Sequence, residues 1–328
     1  MSIANEIKRI KDAKAAIKQS IENKGVTVGE DVKLDKYADY IDNISGGESN
    51  YYWPEFFELK TKNVSYLFAN MYILDTETRY KDLIENCDVS KSVSFMSAFD
   101  SFCDSDDCIK ELDLTKWNVS KGFSFPNMFD GCKLDYLNIS GWDFSSIIPS
   151  SCQFFMGAGI KEINMANCNT SKVGTLYRLA FQASDLVSID MTGCDTSNAT
   201  AASAAFAYCS KLTTIIGELD VSKVSGLYPG SSSNPFYNCT SLETVYLKNI
   251  YKNVTTMKNE AKWSINLADT KVKDECLIYI INELPNLYDK GLTATDKIVF
   301  TLPKTNTLTA DQVQVAIDKG WQVANTTY

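Results

Sequence analysis

Histidine is absent from the 328 residues of this chain. With it goes the side chain that most often serves as general base, as partner to a Ser or Cys nucleophile, and as metal ligand. Triad hydrolysis and most zinc chemistry are excluded on that ground. No Cys-x-x-Cys pair occurs among the ten cysteines and no apolar leader precedes them, which argues against a disulfide framework and for reduced, mostly buried thiols. Cys103 and Cys108 flank one acidic insertion, and the sequence leaves open whether they pair. Long apolar runs are missing: nothing approaches the roughly 18 residues of a membrane span, so no membrane insertion is expected. Basic runs are missing as well. A formal net charge of -9 repels phosphate backbones, and nucleic acid is excluded as a partner.

What the chain has in abundance is repetition. Ser120, Ser145, Ser171, Ser197 and Ser222 follow one another at 25, 26, 26 and 25 residues. An aromatic column accompanies them at Phe99, Phe129, Phe155, Phe181, Phe206 and Phe236, stretched only where "CDSDD" (Cys103 to Asp107) and "YPGSSS" (Tyr228 to Ser233) intrude. A third column alternates as short strands do: Leu112-x-Leu114, Leu137-x-Ile139, Ile163-x-Met165, Ile189-x-Met191 and Val245-x-Leu247. Each repeat reads as a strand, a turn and a short helical segment. A single unit leaves its aliphatic pair, its Phe and its Cys bare, and burying each larger side chain contributes about 1.5 to 3 kcal/mol, so a unit gains stability only from a neighbour on either side. The expected architecture is an α/β solenoid, with a leucine-rich-repeat-like parallel sheet and short helical return segments.

The phrases "MFDGCKLDYLNISGWDFSS" (Met128 to Ser146), "AFAYCSKLTTI" (Ala205 to Ile215) and "PFYNCTSLETVYL" (Pro235 to Leu247) resemble the BspA-like leucine-rich repeats of bacterial surface proteins. The likeness runs from about Cys87 to Leu247, with a degenerate repeat near Phe68. The chain departs from that pattern where the Trp column becomes Cys168 and Cys194 and the Cys column becomes Ala158 and Ser184. No position there inherits a role.

The two ends follow other rules. Ile3, Ile7, Ile10, Ile17 and Ile21, interrupted by Lys14, form a coiled-coil stripe on a helix over residues 3–23, capped by Gly25. Packing on a second helix at Leu34–Ile44 and self-association into three strands or more remain equal readings of that stripe. The expected division is residues 1–45 as a helical anchoring or oligomerisation segment, 46–50 as linker, and 51–86 as starting cap with a degenerate repeat. The repeat array follows at 87–250 and a capping unit at 251–328. "YYWPEFF" (Tyr51 to Phe57) reads as part of the starting cap. The closing unit should carry a helix at Asp274–Leu284 ended by Pro285, a strand at Lys297–Leu302, and a last helix opened by a Thr309/Gln312 capping box. On that helix Val313, Ala316 and Ile317 face inward, and Trp321 with Val323 begins a final strand. The helix pair, the Gly linker and the ending "LTADQVQVAIDKGWQVA" (Leu308 to Ala324) resemble structural proteins of tailed bacteriophages. That resemblance implies a virion component made in a bacterial cytoplasm, which accords with the missing leader, and other virion proteins as partners.

No constellation for catalysis emerges, and no cofactor or metal is expected. "DSDD" (Asp104 to Asp107) with Glu111 lacks the glycine and the spacing of a calcium loop and reads as a solvated insertion. What remains is surface. The outward strand positions would carry Glu111, Asp113, Tyr136, Asn138, Glu162, Asn164, Ser188, Asp190, Thr214, Thr244 and Tyr246. Tyrosines among hydrogen-bonding groups with few cations suit a saccharide or a protein, and a homo-oligomer built on Ile3, Ile7, Ile10, Lys14, Ile17 and Ile21 would add multivalency. The expected function is non-enzymatic adhesion to a host surface protein or polysaccharide from a virion fibre or decoration. A connector touching only virion proteins and a bacterial cell-surface adhesin are the alternatives.

Overall fold

The structure, a computed structural model, describes residues 14, 15, 17–19, 21, 22, 28, 57, 58, 61–74 and 78–326, except 151, 231, 232, 259 and 294. The chain divides into two compact units, Met1–Trp53 and Pro54–Tyr328. In the first, residues 17–19 are helical and Lys18 pairs with Glu22 at 3.8 Å. Ile21 is buried, Lys14 is half-buried and Ile17 is 40% exposed. Ile3, Ile7, Ile10, Gly25, the expected second helix, the linker and residues 51–56 lie outside the described residues.

The second unit is built around a six-stranded parallel sheet whose spatial order equals its chain order. After a two-stranded parallel pair, β1 (Phe57–Glu58) and β2 (Cys87–Asp88), come β3 (Glu111–Asp113), β4 (Tyr136–Asn138), β5 (Glu162–Asn164), β6 (Ser188–Asp190), β7 (Thr214–Asp220) and β8 (Thr244–Lys248). Leu112, Leu137, Ile163, Ile189 and Ile215 pair residue for residue and are all buried, with Val245 buried in β8. The second aliphatic of each expected strand pair is buried too, so the alternation read from sequence is the one that fills the core.

The return segments differ from expectation. Among the described residues between 89 and 250 there is no α-helix; the chain runs through consecutive turns in which residues such as Ser97, Ser101, Asn127, Arg178, Gln182, Ala204 and Tyr208 take positive φ. The hydrogen bonds explain why. In one repeat Ala98, Asp100 and Phe102 donate three residues back, to Phe95, Ser97 and Phe99, while Ser97, Phe99 and Ser101 donate to Pro126, Met128 and Asp130 of the next repeat. A helix would spend every N–H inside its own segment; the alternation keeps half of them to staple the neighbour.

The aromatic column is also shifted at one point. Phe155 N–H bonds Leu179 O and Ala180 N–H bonds Ala205 O, which places Ala180, not Phe181, in the column of Phe129, Phe155 and Phe206. Phe181 is half-exposed, 4.8 Å from the Arg178 guanidinium. Elsewhere the rings stack: Phe68 on Phe99 at 5.0 Å, Phe99 on Phe129 at 5.2 Å, Phe129 on Phe155 at 5.6 Å. Residues 61–74 thus form the degenerate first repeat, joined to the next by bonds such as Val64 N–H to Ser94 O.

Helix α1 (Thr78–Glu85) covers the first edge of the sheet, where Glu85 accepts the Asp113 N–H at 2.8 Å. Past the last strand, Lys271 and Lys273 N–H bond Leu242 O and Glu243 O, and α2 (Asp274–Glu283) packs on β8 with Glu283 accepting the Asn249 N–H at 2.6 Å. The closing unit adds β9 (Ile265–Asn266), β10 (Val299–Thr301) and β11 (Gln322–Ala324) in a parallel sheet ordered β11-β10-β9, with α3 (Ala310–Asp318) opened by the expected capping box at Thr309 and Gln312. On α3 Val313 and Ala316 are buried, but Ile317 is 42% exposed, so the inward stripe is narrower than expected. Trp321 is buried and its Nε1–H donates to Pro285 O at 3.0 Å.

Candidate functional site

The outward residues of the sheet fall into two registered rows. Glu111, Tyr136, Glu162, Ser188, Thr214 and Thr244 form the first; Asp113, Asn138, Asn164 and Asp190, continued by Ile216, form the second. Glu111, Asp113 and Glu162 are exposed and the other polar members half-exposed. The rows differ in what their side chains already do. Asp113, Asn138, Asn164 and Asp190 each turn one oxygen back onto the N–H two residues on, at Thr115, Ser140, Ala166 and Thr192, over 2.8 to 3.2 Å. These are Asx turns ending the strands, so the second row carries structure before it carries any ligand. The first row is less committed; the Tyr136 hydroxyl accepts from Asn164 Nδ2 at 3.3 Å. Tyr246 sits beside Glu218 in the register of β7 and β8, its ring edge-on to Tyr279 at 5.1 Å.

A parallel set of Asx turns accounts for the serine column. Asn118, Asp143, Asn169, Asp195 and Asp220 accept from the N–H groups of Ser120, Ser145, Ser171, Ser197 and Ser222, and Asn63 and Asp88 do the same for Ser65 and Ser90. Hydrogen bonds from Ser90 hold the Asp88 carboxyl below its ordinary pKa. The Asn-x-Ser spelling at Asn63, Asn118 and Asn169 therefore has a sufficient cause in backbone geometry.

Grooves line both edges of the strand face. Before the strands, a groove of about 450 Å³ holds Asp106, Lys110, Lys133, Asp135, Lys161 and Asp185. Charges in it and beside it pair between successive repeats: Lys133 with Asp104 at 2.5 Å, Lys161 with Asp135 at 2.8 Å, and Lys211 with Asp185 at 2.6 Å. Solvent surrounds these pairs, so they serve register more than stability. Beyond the strands, a groove of about 440 Å³ is lined by Thr192, Gly193, Cys194, Asp195, Glu218 and Lys248. It opens where β7 bulges at Gly217, whose φ of +96° and close approach to the Met191 carbonyl, 3.0 Å from where a Cβ would stand, require glycine.

Among the described residues no group of three or more Cys, Asp or Glu is arranged to hold a metal, and no helix is long and apolar enough to cross a membrane. The Asp130 carboxyl is pushed up by burial and by Asp100 nearby, and it lines neither of the two grooves.

A family model described as "Mycoplasma protein of unknown function, DUF285" matches the chain twice, over residues 55–162 and 150–268. The chain belongs to this family. The matched stretches span the degenerate repeat, every strand of the six-stranded sheet and the start of the closing unit, and each match takes in several of the stacked strand-and-turn units described above. No curated protein matches, and no solved structure matches.

The sequence reading found the Trp column and its change to Cys168 and Cys194, but not its duty of tying the repeats together at the strand ends. Trp117 Nε1–H donates to Ile84 O at 2.8 Å and Trp142 Nε1–H to Leu114 O at 2.7 Å; Cys168 Sγ reaches Ile139 O at 3.2 Å and Cys194 Sγ reaches Met165 O at 3.1 Å. The change from Trp to Cys keeps a donor on the same carbonyl position. All ten cysteines are free, Cys103 and Cys108 included, and nine are buried.

Proposed function

We propose that this DUF285 protein is a non-enzymatic binding protein: a leucine-rich-repeat-type solenoid whose strand face adheres to a saccharide or protein surface. Its place is a virion fibre or decoration, with self-association through the N-terminal isoleucine stripe multiplying modest single-site affinities. The observation that supports the binding role is the first outward row, in which Glu111, Tyr136, Glu162 and Ser188 stand in register without a structural duty of the kind that occupies the second row. An amphipathic tyrosine flanked by two carboxylates suits hydroxyl-rich or protein ligands and disfavours polyanions.

The test is binding of the full chain to panels of bacterial cells and immobilised glycans, beside the double variant Tyr136→Ala/Glu162→Ala. Saturable binding that falls at least tenfold in the variant is expected. Binding that is unchanged in the variant, or absent from every cell and glycan tried, overturns the reading and leaves the connector role. A second reading, a bacterial cell-surface adhesin, draws on the family description, which speaks of a Mycoplasma protein. Finding the gene among capsid and tail genes would decide against it.

A further inference from the structure

Nine of the ten thiols are shut inside the core, and the tenth, Cys194, is half-exposed in the groove beyond the strands. Its neighbour one repeat earlier is another cysteine. Backbone bonds on both sides fix that juxtaposition: Asn167 N–H donates to Thr192 O at 2.7 Å and Met165 N–H to Asp190 O at 2.9 Å, while the Thr170 hydroxyl donates to Asp195 O at 2.9 Å. In a parallel ladder these bonds place Cys168 directly beside Cys194. Neighbouring chains in such a ladder lie about 4.8 Å apart, inside the range of Cα separations that disulfides span. The column's side chains lie one over the next, as the Trp117 and Trp142 rings do at 6.2 Å with 5° between planes. Cys194 Sγ and the Cys168 N–H also converge on one acceptor, Met165 O, at 3.1 and 3.2 Å.

We propose that Cys168 and Cys194 are a thiol-modification site: Cys194 is the entry point for low-molecular-weight disulfides, and Cys168 resolves the adduct into an intrachain bridge between adjacent repeats. The Cys194 thiolate attacks one sulfur of a small disulfide, RSSR, and one RS⁻ leaves to take a proton. Cys168, giving up its proton, then attacks Cys194 Sγ and expels the second thiol. The balance is two protein thiols and RSSR giving one protein disulfide and two RSH; the small disulfide is the oxidant. The asymmetry of the pair suits this order. The contact with Cys168 holds the Cys194 thiol below its ordinary value, whereas that same contact and burial push Cys168 up. Cys103 with Cys108, and Cys209 with Cys239, also lie close, but burial pushes Cys103, Cys209 and Cys239 up and leaves all four without a route to solvent.

The test treats the native full chain with oxidised glutathione and maps its peptides by mass spectrometry without reduction. A peptide pair linking Cys168 to Cys194, with the other eight thiols intact, is expected. Cys168→Ser, which keeps a donor for Ile139 O, should stop at a glutathione adduct on Cys194; Cys194→Ser should give neither adduct nor bridge. Ten unmodified thiols in the native chain, a bridge between any other pair, or no adduct in Cys168→Ser overturns the proposal. Circular dichroism identical to that of the parent qualifies each variant, and Cys194→Ala replaces Cys194→Ser if the serine form unfolds.

Discussion

The first repeats and the later ones share a backbone and fill it differently. From Phe68 to Phe155 the interior is a run of aromatic rings, with Phe95 on Phe125 at 5.0 Å, Phe144 on Phe154 at 5.1 Å and Trp117 on Trp142 at 6.2 Å. From Leu176 to Phe206 it is small and aliphatic: Leu176, Leu179, Ala180, Ala183, Ala199, Ala202 and Ala205 are all buried. The ladder of hydrogen bonds passes through both regions unchanged in kind, and so do the Asx turns and the side-chain donor at the strand end. The backbone scheme, rather than any particular ring, is what the repeats have in common.

That comparison is sharpest where a ring is removed. Phe129→Ala, between Phe99 and Phe155, should cost about 3 to 5 kcal/mol, measured by urea unfolding. Phe206→Ala should cost less by about 0.5 to 1.5 kcal/mol, because among the described residues Phe206 stacks on Phe236 alone, at 6.2 Å, and meets Ala180 where a second ring would be. Equal costs would mean that ring stacking across repeats contributes nothing beyond burial. The donor column predicts a smaller contrast: Trp142→Phe removes one of the two donors on the Leu114 carbonyl, which keeps the Trp117 N–H, and should cost about 0.5 to 1.5 kcal/mol more than Cys168→Ser, which keeps its donor. The smallest effect concerns acid. Asp88 is held low by Ser90, so its contribution is present above the unfolded carboxylate range and is lost as pH falls through the depressed folded value. Asp88→Asn keeps the acceptor and should flatten that part of the loss of stability below about pH 4, read from unfolding midpoints at successive pH values.

The columns spaced at 25 and 26 residues were legible because a parallel sheet in chain order demands that every repeat bury the same positions. The capping box and Pro285 were legible because helix ends have local chemistry. Four things were not. Phe181 occupies the aromatic spacing, yet one residue of slippage in the turns puts Ala180 inside, and periodicity alone does not register a shift so small. The return segments read as helical because apolar residues recur three and four apart, while the alternation of left-handed residues that frees their N–H groups leaves no compositional mark beyond scattered Asn and Gly. Helix α1 had no sequence signal strong enough to separate it from the first cap. On the strand face, the row of Asp113, Asn138, Asn164 and Asp190 read as solvated groups open to ligands, and only the geometry of strand termination shows what occupies their oxygens.

Glu85 at one edge and Glu283 with the Lys271–Lys273 stretch at the other occupy amides and carbonyls that a bare margin would offer. A foreign backbone therefore finds these positions at the margins of the six-stranded sheet already taken. Copies of this chain can thus meet at high density without joining strand to strand through those two margins.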